Sequence, residues 1–210
     1  MKTKNGGIFA IIFAALASIG CDQDLGNTSP RKPTITQEIE QNDFKPSTIE
    51  DIGKVEVTDS EGKNVPLSSY FGQRNTVLVI SRGYVVGYGG GICPYCNAQV
   101  QQLASKYSEL ENLNAQVIVV FPVSDSSDSK HSQELESSAL AGLEGMSKLP
   151  FPILVDLKLV AVDQLGIRDQ LAKPSTYIID TEGKVRYSYI GRDRADRPTI
   201  PVLIKQLKLL

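Results

Sequence analysis

Two of the chain's three cysteines stand close together in the run Cys93-Pro94-Tyr95-Cys96. Two thiols at this spacing on the first turn of a helix lie within reach of a disulfide bond. Pro94 marks that turn, because a proline at the first helical position gives up an N–H that has no helical partner anyway. Cys93 is then the N-cap residue and Cys96 lies inside the first turn. Unpaired N–H groups and the positive end of the helix dipole converge at such a place. A Cys93 thiolate is stabilised there, and its pKa is expected below the free value of about 8.5. Cys96 begins an apolar stripe, so it is expected to be buried and to hold its proton longer. The asymmetry assigns roles. Cys93 attacks a disulfide or an oxidised sulfur, and Cys96 resolves the mixed disulfide, leaving a Cys93–Cys96 bond. Pro94 and Tyr95 support the pair without fixing its reduction potential, since couples of this spacing run from about −270 to about −120 mV.

Other uses of the pair are weaker. Structural zinc takes four ligands, and the chain has one cysteine pair and a single histidine, His131, in a polar serine-rich stretch where it is expected to be solvated. A static disulfide would close a very short loop and remove little chain entropy. Gly87, Gly89, Gly90 and Gly91 invite a dinucleotide reading, but the third glycine of that fingerprint would fall on Ile92, so it fails. No metal and no cofactor is expected.

The elements that must position the cysteines can be read from the hydrophobic pattern. Cys96, Val100, Leu103, Tyr107 and Leu110 form one face of an amphipathic helix. Val77–Ile80 and Val117–Phe121 are continuous apolar runs of strand length, as expected of strands buried on both faces. Val55-Glu56-Val57 and Phe151–Val155 are further strand candidates. Tyr177-Ile178-Ile179, the turn Thr181-Glu182-Gly183 and Val185–Tyr189 read as a β-hairpin. Helices are expected over Gln133–Leu143, Val160–Leu165 and Pro201–Leu209. The alternation implies an α/β sandwich whose central mixed sheet has parallel strands early and an antiparallel hairpin late, flanked by helices. With 210 residues, 41% of them hydrophobic, there is enough chain for one core. A net charge of −2 gives no electrostatic footprint for nucleic acid.

The first twenty residues read as a separate segment. Lys2 and Lys4 precede a small and apolar run, Ile8–Ile19, which is shorter than the roughly 20 residues of a membrane span and suits a secretory signal. The run ends in Gly20-Cys21, which resembles a bacterial lipoprotein signal. The resemblance implies cleavage before Cys21 and lipid attachment to it. Ser18 stands where that pattern usually has leucine; ordinary cleavage after Ala17 is the alternative. Two acyl chains anchor a protein stably, at about 0.8 kcal/mol per buried methylene. Residues 22–46, with Pro30, Pro33 and Pro46 among many polar side chains, read as a flexible tether. The expected organisation is a signal peptide over 1–20, a lipidated N-terminus and tether over 21–46, and the redox domain over 47–210.

The segment Val77-Leu78-Val79-Ile80-Ser81-Arg82-Gly83 with Cys93-Pro94-Tyr95-Cys96 resembles the alkyl hydroperoxide reductase/thiol-specific antioxidant redoxins, especially their peroxiredoxin-like branch. Lys173-Pro174-Ser175-Thr176-Tyr177-Ile178-Ile179-Asp180 is similar to the Pro-x-Thr-aromatic strand of that family, and Gly191 with Asp196-Arg197-Pro198 is similar to its ending. The resemblance covers about residues 50–210 and implies a thioredoxin-like fold. It further implies that Pro174 follows a cis peptide bond, packs beside the cysteines and frees the Lys173 backbone to pair with a substrate chain. Arg82 is a candidate for lowering the Cys93 pKa. The chain departs from true peroxiredoxins in carrying Val86 and Gly90 where they have proline and threonine, and in the insertion Tyr84–Ile92.

Three functions follow, in order of preference. The first is a membrane-tethered thiol–disulfide oxidoreductase outside the cytoplasm, which reduces protein disulfides or oxidised thiols and draws on an extracytoplasmic electron donor. The second is a thiol peroxidase acting on hydroperoxides. The third is a non-enzymatic lipoprotein on a redoxin scaffold.

Overall fold

The computed structural model describes residues 52–85, 91–125 and 130–210. The expected signal peptide, Cys21 and the tether lie outside the described residues, as do Val86 and Gly90. No helix among the described residues is long and apolar enough to cross a membrane.

The strands are β1 (Glu56–Thr58), β2 (Asn64–Pro66), β3 (Asn75–Ile80), β4 (Tyr84–Val85), β5 (Gly91–Ile92), β6 (Ala115–Val123), β7 (Ile153–Leu157), β8 (Ser175–Ile179) and β9 (Val185–Ile190). The helices are α1 (Pro94–Ser105), α2 (Tyr107–Glu111), α3 (His131–Ala141), α4 (Val160–Gln164) and α5 (Ile200–Leu207). Seven strands form one sheet in the order β2-β1-β7-β6-β3-β8-β9, and β4 and β5 form a separate hairpin. β3, β6 and β7 run parallel, while β8 and β9 add antiparallel neighbours on one side and β1 and β2 on the other. This is the expected mixed sheet.

Its two faces are sorted by the strand alternation. Val77 and Val79 of β3, with Val117 and Val119 of β6, join Cys96, Val100 and Leu103 of α1 and Ile200 and Leu203 of α5 in one core. Leu78, Ile80, Ile118 and Val120 point the other way and join Leu67, Val162 and Ile167 in a second. Burial on both faces explains why β3 and β6 read as unbroken apolar runs. The β8–β9 turn closes on Asp180, whose Oδ1 accepts the N–H groups of Glu182 (2.9 Å) and Lys184 (2.8 Å). Asp59 does the same between β1 and β2, holding Glu61 N–H and Lys63 N–H at 2.9 Å.

Four local features differ from the sequence reading. β2 is too short and too exposed to show a pattern, and exists because the Asp59 turn returns it to β1. The helix expected from Cys96 to Leu110 breaks at Lys106, although Leu110 still reaches the same core. β7 starts at Ile153 rather than Phe151, because the Pro152 carbonyl only accepts, from Val119 N–H at 3.2 Å, and a proline has no N–H to donate. His131 is buried rather than solvated. The β4–β5 hairpin brings Tyr84 over it, with ring centroids 3.5 Å apart and planes 1° from parallel.

Leu103 is fully buried between α1 and the sheet. Leu103→Ala is expected to cost about 2–5 kcal/mol of unfolding free energy in urea titrations; a loss below about 1 kcal/mol would contradict this packing.

Candidate functional site

Cys93 is the N-cap of α1, and its carbonyl accepts the N–H groups of Cys96 (2.9 Å) and Asn97 (3.1 Å). Pro94 occupies the first turn, as the sequence pattern requires. Both cysteines are free thiols. Cys96 is fully buried and Cys93 keeps 6% exposure. The order is the expected one, but Cys93 is itself largely covered.

The sulfurs are also unequal in acidity. Cys93 is lowered to about 5, chiefly because the Cys96 thiol donates a hydrogen bond to it. Burial opposes the shift; the backbone N–H groups of Cys96 and Tyr95 and the charge of Arg197 support it. Cys96 is pushed well up, since it donates that hydrogen bond and is buried. Arg197 and the Arg82 backbone N–H pull it the other way. The helix start thus supplies part of the effect through named N–H groups, and the neighbouring thiol supplies the largest part.

Arg197 is the residue that sequence reasoning missed as part of the site. Its side chain is 1% exposed. Nη2 donates to Cys96 Sγ at 3.2 Å, Nε donates to Gln99 Oε1 at 2.8 Å, and Nη1 donates to the Arg194 carbonyl. Among the described residues no carboxylate pairs with it. A buried cation is costly without an anion beside it, and the thiolate is the anion available. The loop before α5 fixes this arginine. Asp196 Oδ1 accepts Tyr189 Oη at 2.5 Å, and its Oδ2 accepts Arg192 Nε at 2.7 Å. Gly191 lets the loop turn tightly, since a Cβ there would run into the carbonyl oxygens of Asp196 and Pro174. The run Asp196-Arg197-Pro198 was the available signal, but nothing in its composition says that the arginine is buried.

Arg82 takes a different part from the expected one. Its Nη1 donates to Asp169 Oδ2 at 3.3 Å and its Nη2 to Gln170 Oε1 at 3.4 Å, and the groups that lower Cys93 are Cys96, Tyr95 and Arg197 instead. The cause is local. Gly83, at φ +93°, sits where a Cβ would strike the Pro122 carbonyl oxygen, and Arg82 O accepts Ala172 N–H at 3.4 Å. The strand end is held with its N–H, rather than its side chain, towards Cys96.

Pro174 requires a second correction. The Lys173–Pro174 peptide is trans, and no peptide bond among the described residues is cis. The Lys173 backbone is not free for a substrate chain either. Its N–H donates to Ile167 O at 2.8 Å, and its carbonyl accepts Ser175 Oγ at 2.9 Å. Pro174 opens β8, where its missing N–H leaves no ladder bond unmade. Its carbonyl accepts Gly191 N–H at 2.7 Å, which ties the start of β8 to the loop that carries Arg197. Tyr95 is half-buried against the core and contributes its N–H. Among the described residues no three His, Cys, Asp or Glu side chains gather as a metal site would require.

The fold is shared with solved peroxiredoxins. Peroxiredoxin 6 of Arenicola marina, in a cysteine-to-serine mutant form, superposes with a TM-score of 0.58 at 16% identity, over 81% of this chain and 72% of that one. Peroxiredoxin Q of Xanthomonas campestris gives 0.54 at 13% identity, over 82% and 97%. Peroxidoxin BcpB of Mycobacterium tuberculosis gives 0.55 at 18% identity, over 74% and 92%. No curated protein matches the sequence. The AhpC/TSA family model matches residues 50–188, which include both cysteines and stop short of Arg197. With most of its length matched in this way and an acidic cysteine at the head of α1, the chain belongs to the AhpC/TSA family and is a thiol-dependent oxidoreductase.

Proposed function

We propose that the protein is a two-cysteine thiol peroxidase, held outside the cytoplasm by a lipid on Cys21. The carrying observation is an acidic, nearly covered Cys93 whose partner Cys96 meets a buried guanidinium that, among the described residues, has no carboxylate. The Cys93 thiolate attacks the terminal oxygen of a hydroperoxide. The O–O bond breaks, and the departing alkoxide takes a proton from solvent to leave as the alcohol. Cys93 is then a sulfenic acid. Cys96 attacks its sulfur, the Cys93–Cys96 bond forms, and water leaves carrying the Cys96 proton. An external dithiol supplies two electrons and two protons to restore the pair. With glycine at position 90, where true peroxiredoxins have threonine, Arg197 is the group we assign to polarise the peroxide oxygens.

Two observations favour this order over protein-disulfide reduction, the first reading of the sequence. A cysteine at 6% exposure admits a small oxidant more readily than a folded chain, and the Lys173 backbone is already bonded. Disulfide reduction remains the second reading, supported by Cys93 and Cys96 lying in one helical turn, within disulfide reach.

The protein is expected to consume hydrogen peroxide when supplied with dithiothreitol. Cys93→Ser should reduce the rate at least 100-fold, and Cys96→Ser should leave a sulfenic acid at Cys93 that dimedone traps. Rapid insulin reduction without peroxide turnover would establish the second reading instead.

Alkylation supplies a pH test. Because the Cys93 pKa is lowered to about 5, its iodoacetamide rate should rise as pH passes through that value and level off above it. Cys96 should stay unreactive throughout. A midpoint near the free value of about 8.5 would remove the charge asymmetry on which the cycle rests.

The anchor has its own test. In a bacterial host the chain is expected in the membrane fraction, labelled by a radioactive fatty acid, and Cys21→Ser should abolish the label. A labelled Cys21→Ser protein would remove Cys21 as the attachment site.

A further inference from the structure

Gln99 stands beside the redox pair without touching a reacting sulfur, and its chemistry is specific. It is 6% exposed and follows Cys96 by three residues on α1, so both side chains lie on one helix face. They meet the same guanidinium, Gln99 at Nε and Cys96 at Nη2. The third contact is a backbone carbonyl, from Arg194. Thus, among the described residues, both oxygens that hold Arg197 are neutral.

The identity of residue 99 decides where the arginine's charge is spent. A glutamate there would form a charge-assisted pair with Arg197 and neutralise it locally. An apolar residue would leave a buried N–H without an acceptor, at a cost of about 1–3 kcal/mol, and would let the guanidinium turn. A glutamine accepts the hydrogen bond, fixes the plane of the group and leaves its charge for the sulfurs.

We propose that Gln99 is a positioning residue that keeps Arg197 aimed at Cys96 Sγ with its charge undivided, so that one cation serves Cys93 first and Cys96 afterwards. The proposal rests on Cys93 and Cys96 being the redox couple of the cycle above. Before oxidation the charge supports the Cys93 thiolate. Once the Cys93 sulfur carries oxygen or a bound thiol it is no longer an anion. The same guanidinium, already 3.2 Å from Cys96 Sγ, then favours the ionisation that Cys96 needs in order to resolve it.

The test uses the full chain carrying Cys21→Ser, so that only Cys93 and Cys96 remain as thiols, with Gln99, Gln99→Glu or Gln99→Met. Three quantities are read. They are the pH midpoint of Cys93 alkylation, the dithiol–disulfide equilibrium against glutathione, and the two-step release of thionitrobenzoate from 5,5′-dithiobis(2-nitrobenzoate). In that reaction the Cys93 thiolate displaces one thionitrobenzoate, and Cys96 then attacks the mixed disulfide and displaces the second.

Gln99→Glu is expected to raise the alkylation midpoint by at least one pH unit. It should also shift the equilibrium about tenfold towards the disulfide, equivalent to about 30 mV more negative, because the reduced form loses its stabilised thiolate. Gln99→Met keeps the charge but frees the guanidinium, so its main effect should be on the second thionitrobenzoate, released about tenfold more slowly. An unchanged midpoint and equilibrium in Gln99→Glu would overturn the proposal. If that variant does not fold, an unchanged second step in Gln99→Met overturns it equally. None of these readouts uses peroxide, so failure here leaves the peroxidase reading standing. Absence of peroxide turnover would likewise leave this result intact.

Discussion

The site depends on a buried positive charge. Arg197 is enclosed by protein and has no carboxylate beside it among the described residues. Desolvating a guanidinium costs several kcal/mol unless opposite charge or good hydrogen bonds offset it. Two neutral oxygens and a sulfur meet that need here. That sulfur belongs to Cys96, which keeps its proton and donates it in a hydrogen bond to Cys93, so the negative charge that faces the arginine lies one sulfur further on. The arginine's charge thus adds to the larger effect of the Cys96 hydrogen bond in lowering Cys93, and the thiol pair in turn gives the buried guanidinium part of its compensation.

Three parts of the chain, distant in sequence, are needed to hold that interaction. α1 supplies both cysteines and Gln99 from its first two turns. The end of β3 supplies the Arg82 N–H, locked by Gly83 against Pro122. The loop between β9 and α5 supplies Arg197, braced by Asp196, Tyr189 and Gly191. The central position of β3, between β6 and β8, makes the second of these parts rigid. The two-faced core then transmits that rigidity to α1 through Val77, Val79, Val100 and Leu103.

What the sequence revealed follows from the range of each interaction. The β3 and β6 runs, the Asp180 turn and the proline at the head of α1 are governed by neighbouring residues, so their patterns were readable. The cysteine pair was readable for the same reason, since its spacing and its helix start are local. Arg197 was not, because its burial arises from a contact with Gln99 almost a hundred residues away in the chain. Arg82 and His131 went astray for a related reason. Each has a partner, Asp169 and Tyr84 respectively, that only tertiary structure brings near. The Pro174 expectation came from resemblance, and this chain meets the local backbone requirements differently, by tying Lys173 to Ile167 and Ser175.

The insertion before the cysteines fits the same logic. Ile92 ends β5 and is followed directly by Cys93, so whatever fixes β5 also bears on the N-cap of α1. β5 pairs with β4, and Tyr84 of β4 is stacked face to face on His131 at the start of α3. Tyr84 and Ile92 both pack against the core that contains Cys93 and Cys96. The ring stack is therefore a second attachment for the residue just before Cys93, independent of the helix that follows it. An N-cap held from both sides has less conformational freedom left to lose when its side chain engages a partner, because much of the ordering was completed on folding.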